Sequence, residues 1–286
     1  MSRPASVGTL YRVLSGIVFV PILILLSNLG GSAFLMLFNV ILVLACREFY
    51  QLMEFKGVNP SKKVGIAAAL ILSTLVYWRG GEFLGFFFAA FVIVIALREL
   101  FRTKVAFPIY DMATTVFGVI YVGWLLVHLL LLRELPREVA ITYETGSAML
   151  LFAFLLAWSS DTGAYFVGMA IGRHKLFPRV SPSKSVEGAI AGFAATLVAA
   201  VAGRTWLVLD PSGAPLLTVA QALALGVIVG VANQLGDLVE SLLKRDAAVK
   251  DTSEMIPGHG GVLDRFDSLL FAGPVTYYFL LWVVFA

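Results

Sequence analysis

Apolar stretches of about 20 residues recur along this 286-residue chain, and they constrain its fold more than any other feature. A helix of about 20 apolar residues crosses the hydrocarbon core of a bilayer. The chain is 59% hydrophobic and only 14% charged, whereas soluble domains carry about 25% charged residues. We therefore predict an all-α, polytopic integral membrane protein with about nine transmembrane helices. The predicted spans are 11–29, 33–50, 63–79, 83–100, 110–132, 147–171, 187–205, 216–241 and 267–286.

The loops between the predicted spans are short, which favours a single membrane domain over residues 1–286. Residues 1–146 contain the first five predicted helices and few polar residues within them. Residues 147–286 contain the last four helices and two polar loops, 172–186 and 242–266, both rich in Gly, Pro and basic residues. This second half is the candidate catalytic half.

The basic residues of the loops indicate the orientation of the chain. Lys and Arg concentrate on the cytoplasmic side of membrane proteins. Four arginines fall on one side of the predicted topology: Arg79, Arg133, Arg137 and Arg204. The other side holds Arg3, Arg12, Arg47, Lys56, Lys62, Lys63, Arg98, Arg102, Lys104, Arg173, Lys175, Arg179, Lys184, Lys244, Arg245, Lys250 and Arg265. The N-terminus is therefore predicted to be cytoplasmic, and the net charge of +3 reflects topology rather than a nucleic-acid partner.

Several acidic residues lie inside or beside the predicted spans, where an unpaired charge is costly. Asp161 lies within AWSSDTGAYFVGMAIG, and Asp237 shares one helix face with other polar residues three or four positions apart. Asp264 and Asp267 immediately precede the last span. The predicted topology brings all four carboxylates to the cytoplasmic boundary beside the two basic loops. Structural pairing with nearby Lys and Arg is the alternative interpretation.

Carboxylates without His or Cys partners favour a hard cation such as Mg²⁺, which binds one or two acids together with substrate phosphates. Adjacent Lys and Arg side chains are suited to phosphate contacts. The single cysteine, Cys46, excludes an intrachain disulfide and a multi-cysteine metal site. The phosphate-binding pattern G-x-x-x-x-G-K-[ST] does not occur in the sequence. These residues indicate metal-assisted phosphate chemistry on a membrane-resident substrate.

Residues 241–267, SLLKRDAAVKDTSEMIPGHGGVLDRFD, resemble the signature of the phosphatidate cytidylyltransferases, the CDP-diacylglycerol synthases. We refer to these residues as the signature segment. The pattern S-x-x-K-R-x4-K-D-x-[GSA]-x2-[LIF]-[PG]-x-H-G-G-x2-D-R-x-D is met at every fixed position. The resemblance extends to DTGAYFVG at 161–168, GRHKLFPRVSPSKSVEG at 172–188 and NQLGDLVES at 233–241. The first half resembles the family only as a multi-span apolar region.

The resemblance implies a dimeric enzyme of a bacterial cytoplasmic membrane, with its active site facing the cytoplasm. It implies that a phosphate oxygen of phosphatidic acid attacks the α-phosphorus of CTP with Mg²⁺, releasing pyrophosphate. A second divalent or a monovalent cation is an open alternative. Asp237 and Asp264 match the metal-binding acids of the family, with Asp161 and Asp267 as second candidates. The phosphate-binding candidates are Ser181, Ser183, Lys184, Ser185, Lys244, Arg245, Lys250, Gly260, Gly261 and Arg265.

The three histidines have different expected roles. His259 would donate to the departing pyrophosphate or support the turn that contains it. His174 lies in a basic loop and is expected near a phosphate, with Glu187 orienting the helix that follows, whereas His128 is expected to be structural.

Two other functions fit part of the sequence. A CTP-dependent lipid kinase acting on polyprenols would transfer the γ-phosphoryl group instead of the nucleotidyl group. A cation-coupled transporter would also explain intramembrane acids, although transporters place them near the bilayer midplane.

Overall fold

The computed structural model of the chain describes residues 5–103, 106–139, 141–253 and 260–286, with side chains from residue 16 onward. Most of these residues are helical, which confirms the predicted helical class. Each predicted span coincides with a helical segment. The helices are α1 (Ala5–Leu29), α2 (Gly31–Phe55), α3 (Lys62–Arg79), α4 (Leu84–Leu100), α5 (Pro108–Gly118), α6 (Leu125–Glu134), α7 (Thr145–Ile171), α8 (Val186–Trp206), α9 (Val219–Asp246), α10 (Leu263–Phe266) and α11 (Leu269–Phe279).

Shorter helical turns extend some of these helices. A π-helical segment, Val119–Trp124, joins α5 to α6, and another, Leu280–Val284, follows α11. A 3₁₀ turn, Leu135–Arg137, follows α6. Among the described residues, six helical segments are long and apolar enough to cross a membrane: Gly31–Phe55, Pro108–Arg137, Thr145–Ile171, Val186–Trp206, Val219–Asp246 and Leu263–Val284. The protein is therefore a polytopic membrane protein.

Local sequence explains several helix boundaries. Gly30 and Gly31 have φ values of +61° and +58°, a conformation that glycine adopts without steric cost, and they separate α1 from α2. Pro108 occupies the first turn of α5, where its missing N–H is not needed. Ser185 caps α8 by accepting a hydrogen bond from the backbone N–H of Gly188 at 3.2 Å.

The chain divides into two compact units, each built from two separate stretches of sequence. The first unit comprises Met1–Leu130 and Asp246–Phe266. The second comprises Leu131–Arg245 and Asp267–Ala286. Most of the signature segment thus belongs with the N-terminal helices, while its two ends belong to the second unit. Hydropathy does not reveal this assignment, because it depends on contacts between residues far apart in sequence.

In the first unit, the buried Tyr50 links α2, α3 and α5. Its hydroxyl donates to the carbonyl oxygen of Thr115 at 2.8 Å. A Cβ atom at Gly118 would lie 2.6 Å from the Tyr50 ring, so the tyrosine fits only against a glycine. At the ends of α4 and α5, Arg102 pairs with Glu99 at 3.1 Å and with Asp111 at 3.0 Å.

In the second unit, α7 and α8 approach each other closely through small residues. A Cβ atom at Gly192 would lie 2.6 Å from the carbonyl oxygen of Ser160 and 3.0 Å from the Cβ of Ala164. A Cβ atom at Gly188 would lie 2.7 Å from the carbonyl oxygen of Ala164. Close backbone approach through glycine is typical of helix packing in membranes.

The loop predicted at 172–186 contains a short hairpin, which the all-α prediction missed. Strand β1 (Lys175–Phe177) pairs antiparallel with β2 (Ser181–Ser185), with Lys175 opposite Ser185. Glu187 holds the hairpin entrance against the start of α8, accepting from the backbone N–H of Arg173 at 3.1 Å and lying 2.6 Å from Nδ1 of His174.

Candidate active site

The second unit contains a cavity of about 580 Å³ between α7, the hairpin, α8 and α9. Its walls carry both charged and apolar side chains. The polar part of its lining consists of Ser160, Asp161, Tyr165, Ser183, Lys184, Ser185, Gln234 and Asp237. Five predicted site residues, Asp161, Ser183, Lys184, Ser185 and Asp237, therefore line one cavity, although they come from three separate segments of the sequence.

Asp237 and Lys184 form the central ion pair of this cavity. The Oδ2 atom of Asp237 lies 2.5 Å from the Nζ of Lys184, and both side chains are partly exposed. Ser241, one turn further along α9, lies 3.4 Å from the Oδ1 of Asp237. Lys184 of the hairpin thus pairs with Asp237 of α9, so a positive and a negative side chain lie together at the cavity wall.

Asp161 and Asn233 connect α7 to α9 beside the same cavity. The side-chain amide of Asn233 donates to the Oδ1 of Asp161 at 2.9 Å. This donation fixes the amide, and the buried Oδ1 of Asn233 has no hydrogen-bond partner among the described residues. The buried Oγ of Ser160 is likewise without one within the described part of the chain. Buried polar atoms normally have partners, so these two oxygens are exceptions beside the cavity.

The predicted polar face of α9 continues beyond Asp237, but its basic residues are engaged by the protein itself. Lys244 pairs with the fully buried Glu240 at 2.5 Å. Arg245 is exposed, and its Nε donates to the carbonyl oxygen of Val180 in the hairpin at 3.3 Å. Arg245 therefore ties the hairpin to the end of α9.

In the first unit, Asp264 organises the part of the signature segment around it. Its Oδ2 accepts hydrogen bonds from the backbone N–H of Thr252 at 2.9 Å, the hydroxyl of Thr252 at 2.9 Å and the backbone N–H of Gly261 at 2.7 Å. Gly260 has a φ of +77°, which favours glycine at this turn. Asp264 is buried, with 9% of its surface exposed.

Glu48, a fully buried carboxylate in α2, also binds the signature segment, although it was not among the predicted site residues. It accepts hydrogen bonds from the backbone N–H groups of Val262 at 3.0 Å and Leu263 at 2.8 Å. It also accepts from the hydroxyls of Thr252 at 3.1 Å and Ser253 at 2.7 Å. The available signal was an acidic residue within an apolar helix, of the same kind that identified Asp161.

Of the candidates not yet described, Asp267 lies close enough to Asp161 and Asp237 for their charges to act on it. Ser181 and Ser185 are buried in β2, Lys250 and Arg265 are exposed, and Asp267 accepts from the backbone N–H of Ser268 at 2.6 Å. His259 lies outside the described residues. His128 is buried, and its Nδ1 lies 2.9 Å from the carbonyl oxygen of Trp124; its structural role stays a prediction. The predicted meeting of Asp264 with the other three acids stays a prediction, because Asp264 belongs to the first unit.

The oxygen atoms around the cavity fit a hard cation. Among the described residues, no group of three or more His, Cys, Asp or Glu side chains is arranged to hold a metal ion. Mg²⁺ needs fewer, because it binds one or two carboxylates and completes its shell with water and substrate phosphates. Asp161 and Asp237 both line the cavity, so it offers two carboxylates to such an ion. This donor set fits Mg²⁺.

An apolar groove adjoins the cavity. It has a volume of about 350 Å³ and runs between the hairpin, α8 and α9. Leu176, Ala189 and Gln234 line both the cavity and the groove, so the two share a wall. The other groove residues are Phe177, Val186, Ile190, Phe193, Val231, Leu235 and Leu238. A cavity that contains charged side chains and adjoins an apolar groove suits an amphiphilic ligand.

Comparisons with known proteins agree on one family. Residues 10–283 match the sequence profile of the Cytidylyltransferase family. The phosphatidate cytidylyltransferase of Synechocystis sp. is 33% identical over 288 residues, covering 94% of this chain and 95% of the relative. That of Bacillus subtilis is 30% identical over 272 residues, covering 94% and 96%. That of Staphylococcus saprophyticus is 34% identical over 284 residues, covering 97% and 99%.

Proposed function

The chain belongs to the cytidylyltransferase family, and from that premise we propose that it is a phosphatidate cytidylyltransferase of phospholipid biosynthesis. It converts CTP and phosphatidic acid into CDP-diacylglycerol and pyrophosphate. Family membership confirms the resemblance drawn from the signature segment. It also makes the chain a nucleotidyltransferase.

One observation carries the proposal: the charged cavity of the second unit shares a wall with an apolar groove. Phosphatidic acid has a phosphate headgroup and two acyl chains. The adjacent cavity and groove offer a charged environment for the headgroup and an apolar one for an acyl chain. The headgroup would lie in the cavity near Lys184, and an acyl chain would follow the groove past Leu176 and Ala189. CTP, which has no apolar tail, would use only the cavity.

The reaction is an in-line displacement at the α-phosphorus of CTP. An oxygen of the lipid phosphate forms the new P–O bond as the bond to the pyrophosphate oxygen breaks. Because that oxygen is already ionised, no residue has to remove a proton from it. The task of the protein is to hold two anions together, so positioning and charge neutralisation dominate. Lys184 would contact phosphate, and Arg245 would hold the hairpin in place.

Mg²⁺ is the proposed cofactor, with Asp237 and Asp161 as ligands and Asp267 as a further candidate in the second unit. When bound, it would neutralise phosphate charge and make the α-phosphorus more electrophilic. The amide of Asn233 holds Asp161 in one orientation. In the first unit, roles for Asp264 as a ligand and for Lys250, His259, Gly260, Gly261 and Arg265 in substrate binding rest on the signature alone. Lys244 is paired with Glu240, so it would contact a phosphate while it keeps this ion pair.

Labelled CTP tests the proposed reaction. Purified protein in detergent is given phosphatidic acid, Mg²⁺ and CTP with ³²P at either the α or the γ position. We expect the α label to enter lipid and the γ label to leave as pyrophosphate. Entry of the γ label into a lipid acceptor would identify a lipid kinase. If neither label moves with any lipid acceptor, the charged cavity is a transport or structural feature.

We propose that the chain crosses the cytoplasmic membrane of a bacterium nine times, with its N-terminus and catalytic cavity on the cytoplasmic side. Besides the six long apolar segments, Gly16–Leu29 forms a shorter apolar helix. Helices α3 and α4 have 18 and 17 residues, near the lower limit of about 17 for a membrane span. The distribution of Lys and Arg among the loops supports the orientation. We also propose a homodimer, which the mass of the purified complex by light scattering would test.

Single-cysteine labelling tests the orientation. Cys46 is buried, so Cys46→Ala provides a background without accessible thiols. Arg179→Cys lies in the exposed turn of the hairpin, and Ser212→Cys lies in the exposed loop between α8 and α9. In intact cells, a membrane-impermeant maleimide is expected to label only Ser212→Cys. In inverted vesicles, it is expected to label only Arg179→Cys. The opposite pattern would reverse the proposed topology.

A further inference from the structure

Glu48 is a buried carboxylate that the proposed reaction does not use. It lies in α2, and none of its side chain is exposed. Within the described part of the chain, four hydrogen-bond donors to Glu48 belong to the signature segment: two backbone N–H groups and two hydroxyls. A carboxylate with this many donors is a strong acceptor, because charge-assisted hydrogen bonds exceed neutral ones in strength.

The donors of Glu48 adjoin the groups that hold Asp264. The hydroxyl of Thr252 lies 3.1 Å from the Oε2 of Glu48 and 2.9 Å from the Oδ2 of Asp264. A hydroxyl has one proton to donate, so the two carboxylates share this donor. The backbone N–H groups of Val262 and Leu263 bind Glu48, and Asp264 is the next residue in the chain. Glu48 thereby holds two groups next to Asp264. One is the backbone of Val262 and Leu263, which precede Asp264, and the other is the hydroxyl of Thr252, which also contacts it.

Gly261 shows how closely the two carboxylates surround the segment. A Cβ atom at this position would collide with the Oγ1 of Thr252 and with the Oε2 of Glu48. The backbone N–H of Gly261 donates instead to Asp264 at 2.7 Å. Glycine is therefore required here by the contact with Glu48 and Thr252, whether or not a substrate also approaches it.

Mechanical attachment of the segment to α2 does not by itself require a buried charge. Among the described residues, Lys56 and Asp246 form a second attachment in the first unit, an exposed ion pair at 3.0 Å. Exposed pairs of this kind contribute little. Glu48 differs because it binds backbone groups immediately before Asp264, so it determines where that carboxylate lies.

We propose that Glu48 is a positioning residue for the nucleotidyl transfer, which it supports by holding Thr252, Val262 and Leu263 and thereby orienting Asp264. This proposal rests on the proposed function and on a role of Asp264 in it. Residues that orient a metal ligand from behind typically change activity or metal affinity by about 10- to 100-fold when substituted. Glu48→Gln keeps the size of the side chain but replaces one accepting oxygen with an NH₂ group. That group cannot accept the hydrogen bonds that the signature segment donates to Glu48.

The experiment compares Glu48→Gln with Glu99→Gln in the full-length protein in detergent. Glu99 is a matched control because it is also a buried glutamate of the first unit, paired with Arg102 instead of the signature segment. Two quantities are measured: hydrogen–deuterium exchange of peptides covering residues 260–263 without substrate, and steady-state kcat and KM. For Glu48→Gln we expect faster exchange and a kcat lowered by about 10- to 100-fold, with the KM for phosphatidic acid unchanged. For Glu99→Gln we expect neither change.

The two measurements separate the possible failures. Faster exchange with an unchanged kcat would make Glu48 a structural anchor only and overturn the proposal. A lower kcat with unchanged exchange would overturn the route through the signature segment. If the unsubstituted protein forms no CDP-diacylglycerol, the proposed function fails, while the exchange data still report on the contact.

A second pair of variants applies if Glu48→Gln does not accumulate as folded protein. Thr252→Val removes the hydroxyl shared by Glu48 and Asp264, and Thr252→Ser restores it. We expect Thr252→Val to lower kcat and Thr252→Ser to recover most of the loss. Equal kcat values for the two variants would overturn the proposal.

Discussion

Replacement of Asp237 by asparagine is expected to lower the kcat for CDP-diacylglycerol formation by about 100- to 1,000-fold, the typical effect of removing one preorganised electrostatic group. The amide keeps the size of the side chain but loses the charge that pairs with Lys184 at 2.5 Å. It also supplies a poorer oxygen ligand for Mg²⁺. The measurement is the rate at which α-labelled CTP enters lipid, with purified protein at saturating substrate.

Asp210→Asn is the matched control for this prediction. Asp210 lies in the exposed turn between α8 and α9, where the hydroxyl of Ser212 donates to it at 2.6 Å. The turnover of the Asp210→Asn protein is expected to equal that of the unsubstituted protein. The Asp237–Lys184 pair is partly exposed, so its loss is expected to change the free energy of unfolding by only about 0–1 kcal/mol. An Asp237→Asn protein that keeps most of its turnover would remove Asp237 from the proposed mechanism.

Gly192→Ala is expected to destabilise the protein by about 1–3 kcal/mol, the usual cost of overpacking. The new Cβ atom would lie 2.6 Å from the carbonyl oxygen of Ser160. A backbone atom cannot rotate away, so α7 would have to move relative to α8. Since Ser160 and Ala164 line the cavity, turnover should fall as well. The midpoint of thermal unfolding in detergent, followed by tryptophan fluorescence, measures the effect.

Gly85→Ala in α4 is the corresponding control. A Cβ atom at Gly85 would meet no described atom within 4 Å. This substitution is expected to leave the midpoint of thermal unfolding unchanged or to raise it. Alanine lowers the conformational entropy of the unfolded chain, which stabilises the folded protein by about 0.4–1 kcal/mol. Equal shifts for the two variants would contradict the close packing of α7 against α8.

The helices were predictable from sequence, whereas the hairpin was not. The signal for a membrane helix is an apolar run long enough to span a bilayer, and it depends only on neighbouring residues. Strand β2 reads SPSKS, and β1 has three residues. Neither shows the alternation of apolar and polar residues that predicts a strand. The hairpin depends instead on contacts made by its neighbours, including those of Glu187 and Arg245.

The candidate site was predictable only where local sequence carries the information. The upstream segments that resemble the family, 172–188 and 233–241, identified Lys184 and Asp237, and the structure places them in contact. The resemblance could not reveal Glu48, which lies 214 residues from its partner Val262. It also did not reveal that one oxygen of Asp264 is used to hold its own segment. These roles follow from long-range packing, which a pattern of single residues does not encode.

The distance along the chain between Glu48 and its donors has a consequence for biosynthesis. A ribosome adds about 5–20 residues per second, so the 214 residues that separate Glu48 from Val262 take on the order of 10 to 40 s to translate. During that interval α2 has left the ribosome while its carboxylate still lacks the groups that will bind it. A nascent chain that stops before residue 246 would contain α1 to α8 and nearly all of α9, but none of the four described donors of Glu48. Completion of the first unit is therefore a late event in translation, although its helices are the first to be made.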